Sequence, residues 1–420
     1  MTSYTLLAPV QDRSEDPAGV LAAYRGGDFL FATEERTILA SGTEWALSGA
    51  NLAELDDQLG AAFADGGTPI AVGALPFFAD AGVAAYLAAP QELRVAGPAH
   101  PVARAQSAKV LGAPIRVTPV PSPIGHTEAV ACALRSLRSG ELRKVVLARA
   151  LDVAFAADID PAWILHNLIA DNADGYTFAV ALPDSAAGAR TLVGSSPELL
   201  VRRSGTRVIS HPHAGSAPRS ADPVIDKQNA AELLASAKDH AEHALVSEAV
   251  VEALRPYCRK LDVPSAPSLS ATSAVWHLGT AITGELRDPD VSAFQLAAAL
   301  HPTPAICGTP TEPARALVAE LEPFERDYYA GAVGWVDAAG DGEWAIAIRC
   351  AEVASRSMRL YAGGGIVTAS DPRAELDETS AKFRTLLRAM GLDLALEPHG
   401  VHQRWATSIG PVASTARLAR

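Results

Sequence analysis

Cysteine is scarce in this sequence. The 420 residues include four cysteines, at positions 132, 258, 307 and 350, and no two of them form a CxxC pair. A disulfide framework or a zinc ribbon needs closely spaced or numerous cysteines, so neither is predicted. Isolated cysteines of this kind are typical of reduced thiols, and we expect a cytoplasmic protein.

Basic residues and long apolar runs are also lacking. The chain has 35 basic against 48 acidic residues, and this net charge of −13 argues against nucleic acid or an anionic membrane surface as the main partner. Asp80 and two prolines interrupt the apolar stretch at 70–90, and the first residues lack a basic start before an apolar run. We therefore expect neither a membrane span nor a signal peptide.

Apolar residues are abundant, at 49% of the sequence. A chain of this size and composition can bury a large core, as one big α/β domain or as two ordinary ones. We expect an enzyme-sized monomer. Because the protein is acidic, an anionic substrate would need locally placed cations or a metal ion.

Three parts are predicted along the chain. Residues 1–119 lack motifs and alternate short apolar runs with turns, which is typical of hairpins, and they end in a proline-rich stretch. Residues 120–395 hold the motifs, with a helical pattern over 126–141 and a strand rich in branched residues over 143–155. Residues 396–420 are expected to form a loose tail.

The segment KDHAEH at 238–243 carries possible metal ligands in a helix predicted to run from 222 to 256. His240 and His243 have neither the i, i+4 nor the HxxEH spacing that a zinc hydrolase requires. Asp239 and Glu242 are three residues apart and share a helix face. They flank a predicted apolar stripe made of Leu234, Ala237, Ala241 and Leu245. Two such carboxylates suit Mg²⁺, but the spacing alone favours a solvated helix face.

A second acidic pair follows the glycine run AGGGI at 362–366. Glu375, Glu378 and Lys382 lie at i, i+3 and i+7 and share one face of a predicted helix. Glycines ahead of such a helix allow a ligand to approach the backbone closely. An ordinary surface on which Glu378 pairs with Lys382 is the alternative interpretation, and the spacing alone favours it.

Nine short motifs lie along the chain. They are KVVLAR (144–149), GSSPELL (194–200), HAGSAPR (213–219), KDHAEH (238–243), WHLGT (276–280), HPTPAICG (301–308), AIRC (347–350), AGGGI (362–366) and ELDETSAK (375–382). Together they resemble the chorismate-utilising enzymes, which include isochorismate, salicylate, anthranilate and aminodeoxychorismate synthases. They occur in the family's order and span about two thirds of the chain. The resemblance implies a single large α/β (α+β) fold, with stacked antiparallel sheets in the middle and helices outside.

The resemblance also implies a Mg²⁺ site and a site for chorismate. Glu242 and Glu378 are similar to the family's Mg²⁺ ligands, with Asp239 and Glu375 at neighbouring acidic positions. A bound Mg²⁺ would offset the repulsion between an acidic protein and the chorismate dianion. The positions that resemble substrate contacts are Gly215, Ser216, His277, Ala305, Tyr329, Arg349, Gly363, Gly365 and Lys382. For His277 alone, a satisfied core histidine is the alternative interpretation.

Two residues resemble the family's catalytic base and acid. Lys144 matches the base that activates water for attack at C2, and Glu198 matches the acid that protonates the departing C4 hydroxyl. This role requires Glu198 to hold its proton when substrate is bound. Without the other motifs, the two residues would be interpreted as a strand-edge lysine and a turn glutamate.

Among the family's reactions, the sequence favours isochorismate synthesis. Ala214 stands where synthases that form a covalent adduct have a lysine, and we find neither an anthranilate-type tryptophan-binding segment nor an amidotransferase domain. HPTPAICG resembles the isochorismate synthases, and salicylate synthase is the alternative. A non-catalytic binder and a zinc hydrolase are disfavoured. Whether the product serves a catecholate siderophore, salicylate or menaquinone is left open.

Overall fold

The computed structural model describes residues 15–66, 68–79, 83–107, 110–185, 188–272 and 275–392. These residues form ten helices. They are α1 (Pro17–Ala23), α2 (Leu52–Ala64), α3 (His100–Ala105), α4 (Pro123–Ser139), α5 (Pro161–Asp171), α6 (Pro223–Ala235), α7 (Ala237–Leu254), α8 (Ala293–Leu300), α9 (Thr311–Leu321) and α10 (Pro372–Ala389). Most begin at a capping Asp, Asn or Ser, and several have proline directly after the cap, as in α4 and α10.

The same residues form 22 strands. The first eleven are β1 (Phe29–Ala32), β2 (Thr37–Ser41), β3 (Trp45–Gly49), β4 (Ile70–Leu75), β5 (Ala85–Ala89), β6 (Glu92–Ala96), β7 (Pro114–Val120), β8 (Lys144–Phe155), β9 (Tyr176–Ser185), β10 (Gly188–Ser196) and β11 (Leu199–Ser204). The others are β12 (Arg207–His211), β13 (His213–Pro218), β14 (Cys258–Asp262), β15 (Ser268–Ala271), β16 (Val275–Gly279), β17 (Ile282–Leu286), β18 (Gly308–Thr309), β19 (Ala332–Asp337), β20 (Gly342–Ile346), β21 (Cys350–Val353) and β22 (Ser357–Ile366).

The strands form two large antiparallel sheets and one small one. The first has ten strands in the order β18-β8-β22-β21-β10-β9-β1-β2-β6, with β7 also paired to β8. The second has nine strands in the order β14-β17-β12-β11-β20-β19-β4-β5-β3. The third contains β13, β16 and β15. This arrangement confirms the predicted α/β fold of large antiparallel sheets with helices.

The ten-stranded sheet is buried on both faces. Along β1, Phe29 and Phe31 belong to the larger core cluster, which also contains residues of the nine-stranded sheet. Leu30 and Ala32 belong to a second cluster, with residues of α5 and α10. Because successive side chains of a strand point to opposite faces, helices cover one face of this sheet and the other sheet covers the opposite face. Burial on both faces explains why these strands are almost continuously apolar.

Both large sheets contain strands from the N-terminal third of the chain. β1, β2, β6 and β7 belong to the ten-stranded sheet, and β3, β4 and β5 belong to the nine-stranded sheet. The predicted boundary at 119/120 falls within β7, which pairs with β8. The division into parts stays a prediction, and the tail predicted at 396–420 lies outside the described residues.

The helix predicted from 222 to 256 is wrong, because the structure divides it at Ser236. α6 ends at Ala235, and the Ser236 side chain accepts a hydrogen bond from Asp239 N at 3.2 Å as the N-cap of α7. Serine followed three residues later by an acidic residue is a helix-start signal, which was missed. KDHAEH therefore lies in the first turns of α7, not in the middle of a helix.

The buried face of α7 also differs from the predicted stripe. Glu242, His243, Val246, Val250 and Leu254 are buried, whereas Leu234 and Ala241 are exposed. The predicted stripe is wrong because β13 and α8 pack against the other side of the helix. This packing turns Glu242 inward.

No helix in the described part of the chain is both long and apolar enough to span a membrane. The four cysteines are free thiols, and Cys258, Cys307 and Cys350 are buried.

Candidate active site

One pocket collects nearly all the predicted site residues. It is lined by Lys144, Glu198, Gly215, Ser216, Asp239, Glu242, His277, Ala305, Tyr329, Arg349, Gly363, Gly365, Glu378 and Lys382, together with other residues. Glu375 lies just behind this lining, where its Oε2 would be 3.0 Å from a Cβ placed at Gly364. The pocket is formed where β8 and β22, the small sheet, α7 and α10 meet.

Lys144 is the first residue of β8, and its side chain is 1% exposed. Its Nζ lies 2.9 Å from Glu242 Oε1 on α7. Gly365 on the neighbouring strand leaves room for this pair, since a Cβ there would collide with the Glu242 carboxylate. A solvated strand-edge lysine is therefore excluded, and the structure places a buried ion pair in the pocket.

Glu198 lies in the connection between β10 and β11 and is buried. Burial raises the pKa of Glu198 to about 7, although the backbone N–H of His213, at 3.4 Å from Oε1, and the charge of Lys144 act in the opposite direction. A carboxyl group with this pKa is protonated in about half of the molecules at pH 7, whereas an ordinary glutamate is almost fully ionised there. Such a group can donate a proton to a leaving group.

Glu378 on α10 is held by two donors. Lys382 Nζ donates to its Oε1 at 2.6 Å and Ser216 Oγ donates to the same oxygen at 3.1 Å. Burial alone would raise the pKa of Glu378, but Lys382 and Ser216 outweigh burial and lower it. Lys382 Nζ also donates to the carbonyl oxygen of Gly363 at 2.9 Å, which ties α10 to the glycine run of β22.

Glu375 is buried, and its Oε2 has no hydrogen-bond partner within the described residues. Lys238 Nζ lies 3.6 Å from the other oxygen. Burial, followed by the charge of Glu378, raises the pKa of Glu375 to about 7. A buried carboxylate oxygen without a donor is an unfavourable arrangement that a cation would relieve.

Asp239 completes the acidic group from α7, and burial raises its pKa. Gly215 lies opposite it on β13 with φ of 78°, and a Cβ at that position would come within 2.9 Å of Asp239 Cβ. Both the left-handed backbone and the close approach require glycine.

In the described chain, no three His, Cys, Asp or Glu side chains converge closely enough to hold a metal ion as they stand. Three of the acidic residues, Glu242, Glu375 and Glu378, are paired with lysines instead. Because Glu242 is buried, the alternative of a solvated helix face is wrong for it. On α10, Glu378 does pair with Lys382 as the alternative interpretation expected, but Glu375 is buried and not at an ordinary surface. His240 Nε2 contacts the Leu234 carbonyl oxygen at 2.8 Å and His243 Nε2 contacts Thr280 Oγ1 at 2.7 Å, so both Nε2 atoms are engaged by protein groups.

His277 on β16 lines the pocket, and its buried Nε2 has no hydrogen-bond partner in the described structure. The interpretation as a satisfied core histidine is therefore wrong. Burial, with smaller contributions from Arg349 and Lys382, lowers the pKa of His277 well below its ordinary value. This shift favours the neutral form of the ring, whose Nε2 is buried beside the pocket without a partner among the described residues.

Arg349 brings a cation to the pocket from the segment between β20 and β21. Its φ of 53° is in the left-handed region, which is unusual for a residue other than glycine. Burial lowers the pKa of its guanidinium. Ala305 lies in the loop after α8 and forms another part of the lining.

Three residues with polar side chains that line the pocket were missed from the sequence: His213, Lys238 and Tyr361. His213 and Lys238 are the first residues of two quoted motifs and could have been included for that reason. Tyr361 alternates with Gly363 and Gly365 along β22, so the three share one face of the strand. This period of two was the available signal for Tyr361.

Comparison with known proteins agrees with this geometry. The family model for chorismate-binding enzymes matches residues 102–391. The isochorismate synthase DhbC of Bacillus subtilis is 47% identical over 385 residues, which cover 89% of this chain and 96% of that relative. The isochorismate synthase EntC of Escherichia coli K12 is 37% identical over 396 residues, which cover 90% of this chain and 98% of that relative. The crystal structure of DhbC from Bacillus anthracis is 44% identical, covers 90% of this chain and 100% of its own, and superposes with a TM-score of 0.84. This chain belongs to the family of chorismate-binding enzymes and is most similar in kind to its isochorismate synthases.

Proposed function

We propose that this chain is an isochorismate synthase, which adds water at C2 of chorismate and removes the C4 hydroxyl in a reversible reaction. The observation that carries the proposal is the buried Glu198, with a pKa of about 7, in the same pocket as the buried Lys144. An acid that keeps its proton and an amine that can accept one are the two groups that this exchange needs.

Lys144 is the proposed base. Its neutral amine, not the ammonium form of the ion pair, accepts a proton from a water molecule while the water oxygen bonds to C2. The two ring double bonds each move by one bond, and the C4–O bond breaks. Glu242, 2.9 Å from Nζ, fixes the position of the amine between β8 and α7.

Glu198 is the proposed acid. Its carboxyl proton passes to the departing C4 oxygen, which leaves as water, so one water molecule enters and one leaves. The reaction has no net consumption of acid or base once Lys144 returns its proton and Glu198 regains one. In the reverse reaction the same two groups exchange roles.

Four carboxylates are the proposed ligands of a Mg²⁺ cofactor: Glu242 and Glu378, with Asp239 and Glu375 beside them. All four offer oxygen donors, which Mg²⁺ prefers, and the unpaired Oε2 of Glu375 supports the fit. When bound, the ion supplies positive charge that offsets the substrate's carboxylates.

The remaining residues are proposed to bind the chorismate dianion. Arg349 and Lys382 supply positive charge, and arginine can hold a carboxylate with two parallel hydrogen bonds. Ser216 supplies a hydroxyl, and the lack of side chains at Gly215 and Gly363 lets a ligand approach the backbone. His277 contributes its unpaired nitrogen.

Product analysis tests this function. Chorismate incubated with the protein and Mg²⁺ is expected to give a reversible mixture of chorismate and isochorismate, without pyruvate and without added ammonia. Lactate dehydrogenase with NADH detects pyruvate, and added isochorismatase should pull the reaction forward. Pyruvate released together with fluorescent salicylate would assign salicylate synthase instead, and an aromatic amine formed only with ammonia would assign the anthranilate branch.

A monomeric state and a cytoplasmic location are also proposed. Four free thiols suit a reducing compartment, and the acidic composition suits a freely diffusing enzyme. Light scattering coupled to gel filtration should give a mass near 43.7 kDa. A mass of twice that value would contradict the monomer.

A further inference from the structure

Two stacked tyrosines form one wall of the pocket. The rings of Tyr329 and Tyr361 lie 4.6 Å apart between centroids at an interplanar angle of 8°, and both residues are buried. A Cβ placed at Gly363 would lie 2.9 Å from the Tyr329 hydroxyl oxygen, so this hydroxyl packs directly against the glycine run. Any shift of either ring would change the shape of the pocket.

The hydroxyl of Tyr361 is held from behind this wall. It donates a hydrogen bond to Glu352 Oε1 at 3.1 Å, and Arg190 Nη1 donates to the other oxygen of Glu352 at 2.8 Å. Glu352 is on β21 and Arg190 is on β10, next to it in the ten-stranded sheet. Neither residue lines the pocket.

Arg190 is also linked to the other tyrosine. The same Nη1 lies 3.4 Å from Asp327 Oδ2, two residues before Tyr329. Asp327 and Ala330, on either side of Tyr329, have φ of 46° and 59°. Residues other than glycine keep this left-handed conformation only where their surroundings hold them in it. One guanidinium therefore holds both the turn that carries Tyr329 and the glutamate that holds Tyr361.

We propose that Arg190 and Glu352 are positioning residues for chorismate, which fix the Tyr329–Tyr361 wall at the distance that the substrate requires without touching the substrate. This inference rests on the proposed function. The two residues act on binding and not on the transfer of protons, because Lys144 and Glu198 belong to other parts of the pocket.

The test compares variants of the tyrosine wall and of the residues behind it with a matched control. Arg190→Met removes the link to both tyrosines, and Tyr361→Phe removes one hydroxyl oxygen and keeps the ring. Each is expected to raise KM for chorismate about fivefold to tenfold with kcat within about twofold, the pattern of lost ground-state binding. Glu352→Gln keeps an acceptor for Tyr361 and should raise KM less than Glu352→Leu does.

Arg356→Met is the control. Arg356 lies in the turn between β21 and β22, the strands that carry Glu352 and Tyr361, and its exposed side chain donates to Asp158 Oδ1 at 3.2 Å. Its kinetic constants should equal those of the wild type. An equal rise of KM in this control would mean that these strands are merely destabilised and would overturn the inference.

Unchanged KM in Tyr361→Phe and Arg190→Met would also overturn it, and so would a fall in kcat at constant KM. Tyr361→Phe keeps the test decisive if Arg190→Met does not fold. If the wild type does not convert chorismate, the proposed function fails instead. The inference is then tested by titration calorimetry of chorismate binding, where the same variants should weaken affinity and the control should not.

Discussion

Two buried ion pairs in this protein differ in how completely they are hydrogen-bonded. Lys144 and Glu242 are 2.9 Å apart with side chains 1% and 9% exposed, and Arg326 and Glu322 are 2.5 Å apart with side chains 2% and 4% exposed. Arg326 also donates to two backbone carbonyl oxygens, and Glu322 also accepts from Ala148 N at 2.7 Å. Within the described residues, the pair between Lys144 and Glu242 has no comparable set of backbone partners and borders the pocket.

The difference distinguishes a buried ion pair that holds the fold together, Arg326 with Glu322, from one that borders the pocket, Lys144 with Glu242. The carbonyls that Arg326 holds belong to Ile306 and Val146, so this pair fixes a loop and a strand that both line the pocket. Both charges of this pair are compensated by protein groups, so the pair does not offer a charged group to a ligand. Lys144 lines the pocket beside its partner Glu242, which agrees with the role proposed for it as the base.

The largest expected effect is a loss of kcat when Lys144, the cation of the pair that borders the pocket, is replaced. Replacing Lys144 by Ala should lower kcat about 10²–10⁴-fold, because the proposed general base is lost. Circular dichroism should show an unchanged fold. Lys144→Met, which fills the volume of the missing side chain, serves as the second variant, and near-wild-type turnover in either variant would remove lysine from the mechanism.

The structural pair should behave in the opposite way. Arg326→Met leaves Glu322 buried without its partner and should lower the free energy of unfolding by about 3–5 kcal/mol. Urea denaturation measures this loss. At a temperature where the variant is still folded, kcat should fall far less than in Lys144→Ala. A stable but inactive Arg326→Met protein would show that this pair has a chemical role after all.

Stability is also expected to depend on pH through Glu198. Its pKa is raised from 4.5 to about 7 in the folded protein, so its stabilising protonated form is complete below about pH 4.5 and is lost as the pH rises through 7. The contribution is roughly 3 kcal/mol between these limits. Glu198→Gln should therefore lose less stability than the wild type between pH 5 and pH 8 in urea unfolding. Equal slopes in the two proteins would contradict the raised pKa.

The smallest effect concerns the proposed metal ligands. Glu378→Gln should weaken Mg²⁺ binding about tenfold or more, as measured by titration calorimetry, because one charged ligand is lost. The neighbouring Asp377→Asn, at an exposed position paired with Arg373, is the matched control and should bind Mg²⁺ as the wild type does. Activity lost with EDTA should return with Mg²⁺, and stoichiometric zinc in the purified protein would show that the metal assignment is wrong.

Much of the fold was accessible from local sequence. The helical pattern predicted at 126–141 falls within or next to α4, and the strand predicted at 143–155 is β8. The motifs also selected almost every residue that lines the pocket. Local patterns work here because caps, turns and strand periodicity act between residues that are near in sequence.

The failures have two sources. The helix predicted at 222–256 divides at Ser236, where a local cap signal was missed. The buried face of α7 is the one that carries Glu242 and Val246, and this depends on what packs against the helix. Helical periodicity alone gave two readings of the acidic residues, because it cannot tell which face meets another element. For Glu242 and Glu375 the neighbours decided, and both are buried.

By itself, the sequence determined the family, the order of the motifs and the types of reactive side chain, because these depend on residue identity and local spacing. Only the tertiary structure decided which charges meet. Lys144 reaches Glu242 across 98 residues, and Arg190 reaches Glu352 across 162 residues. Such pairs depend on strand order and on desolvation by the surrounding core, which also raises the pKa of Glu198. Neither property is written in the local pattern of any one segment.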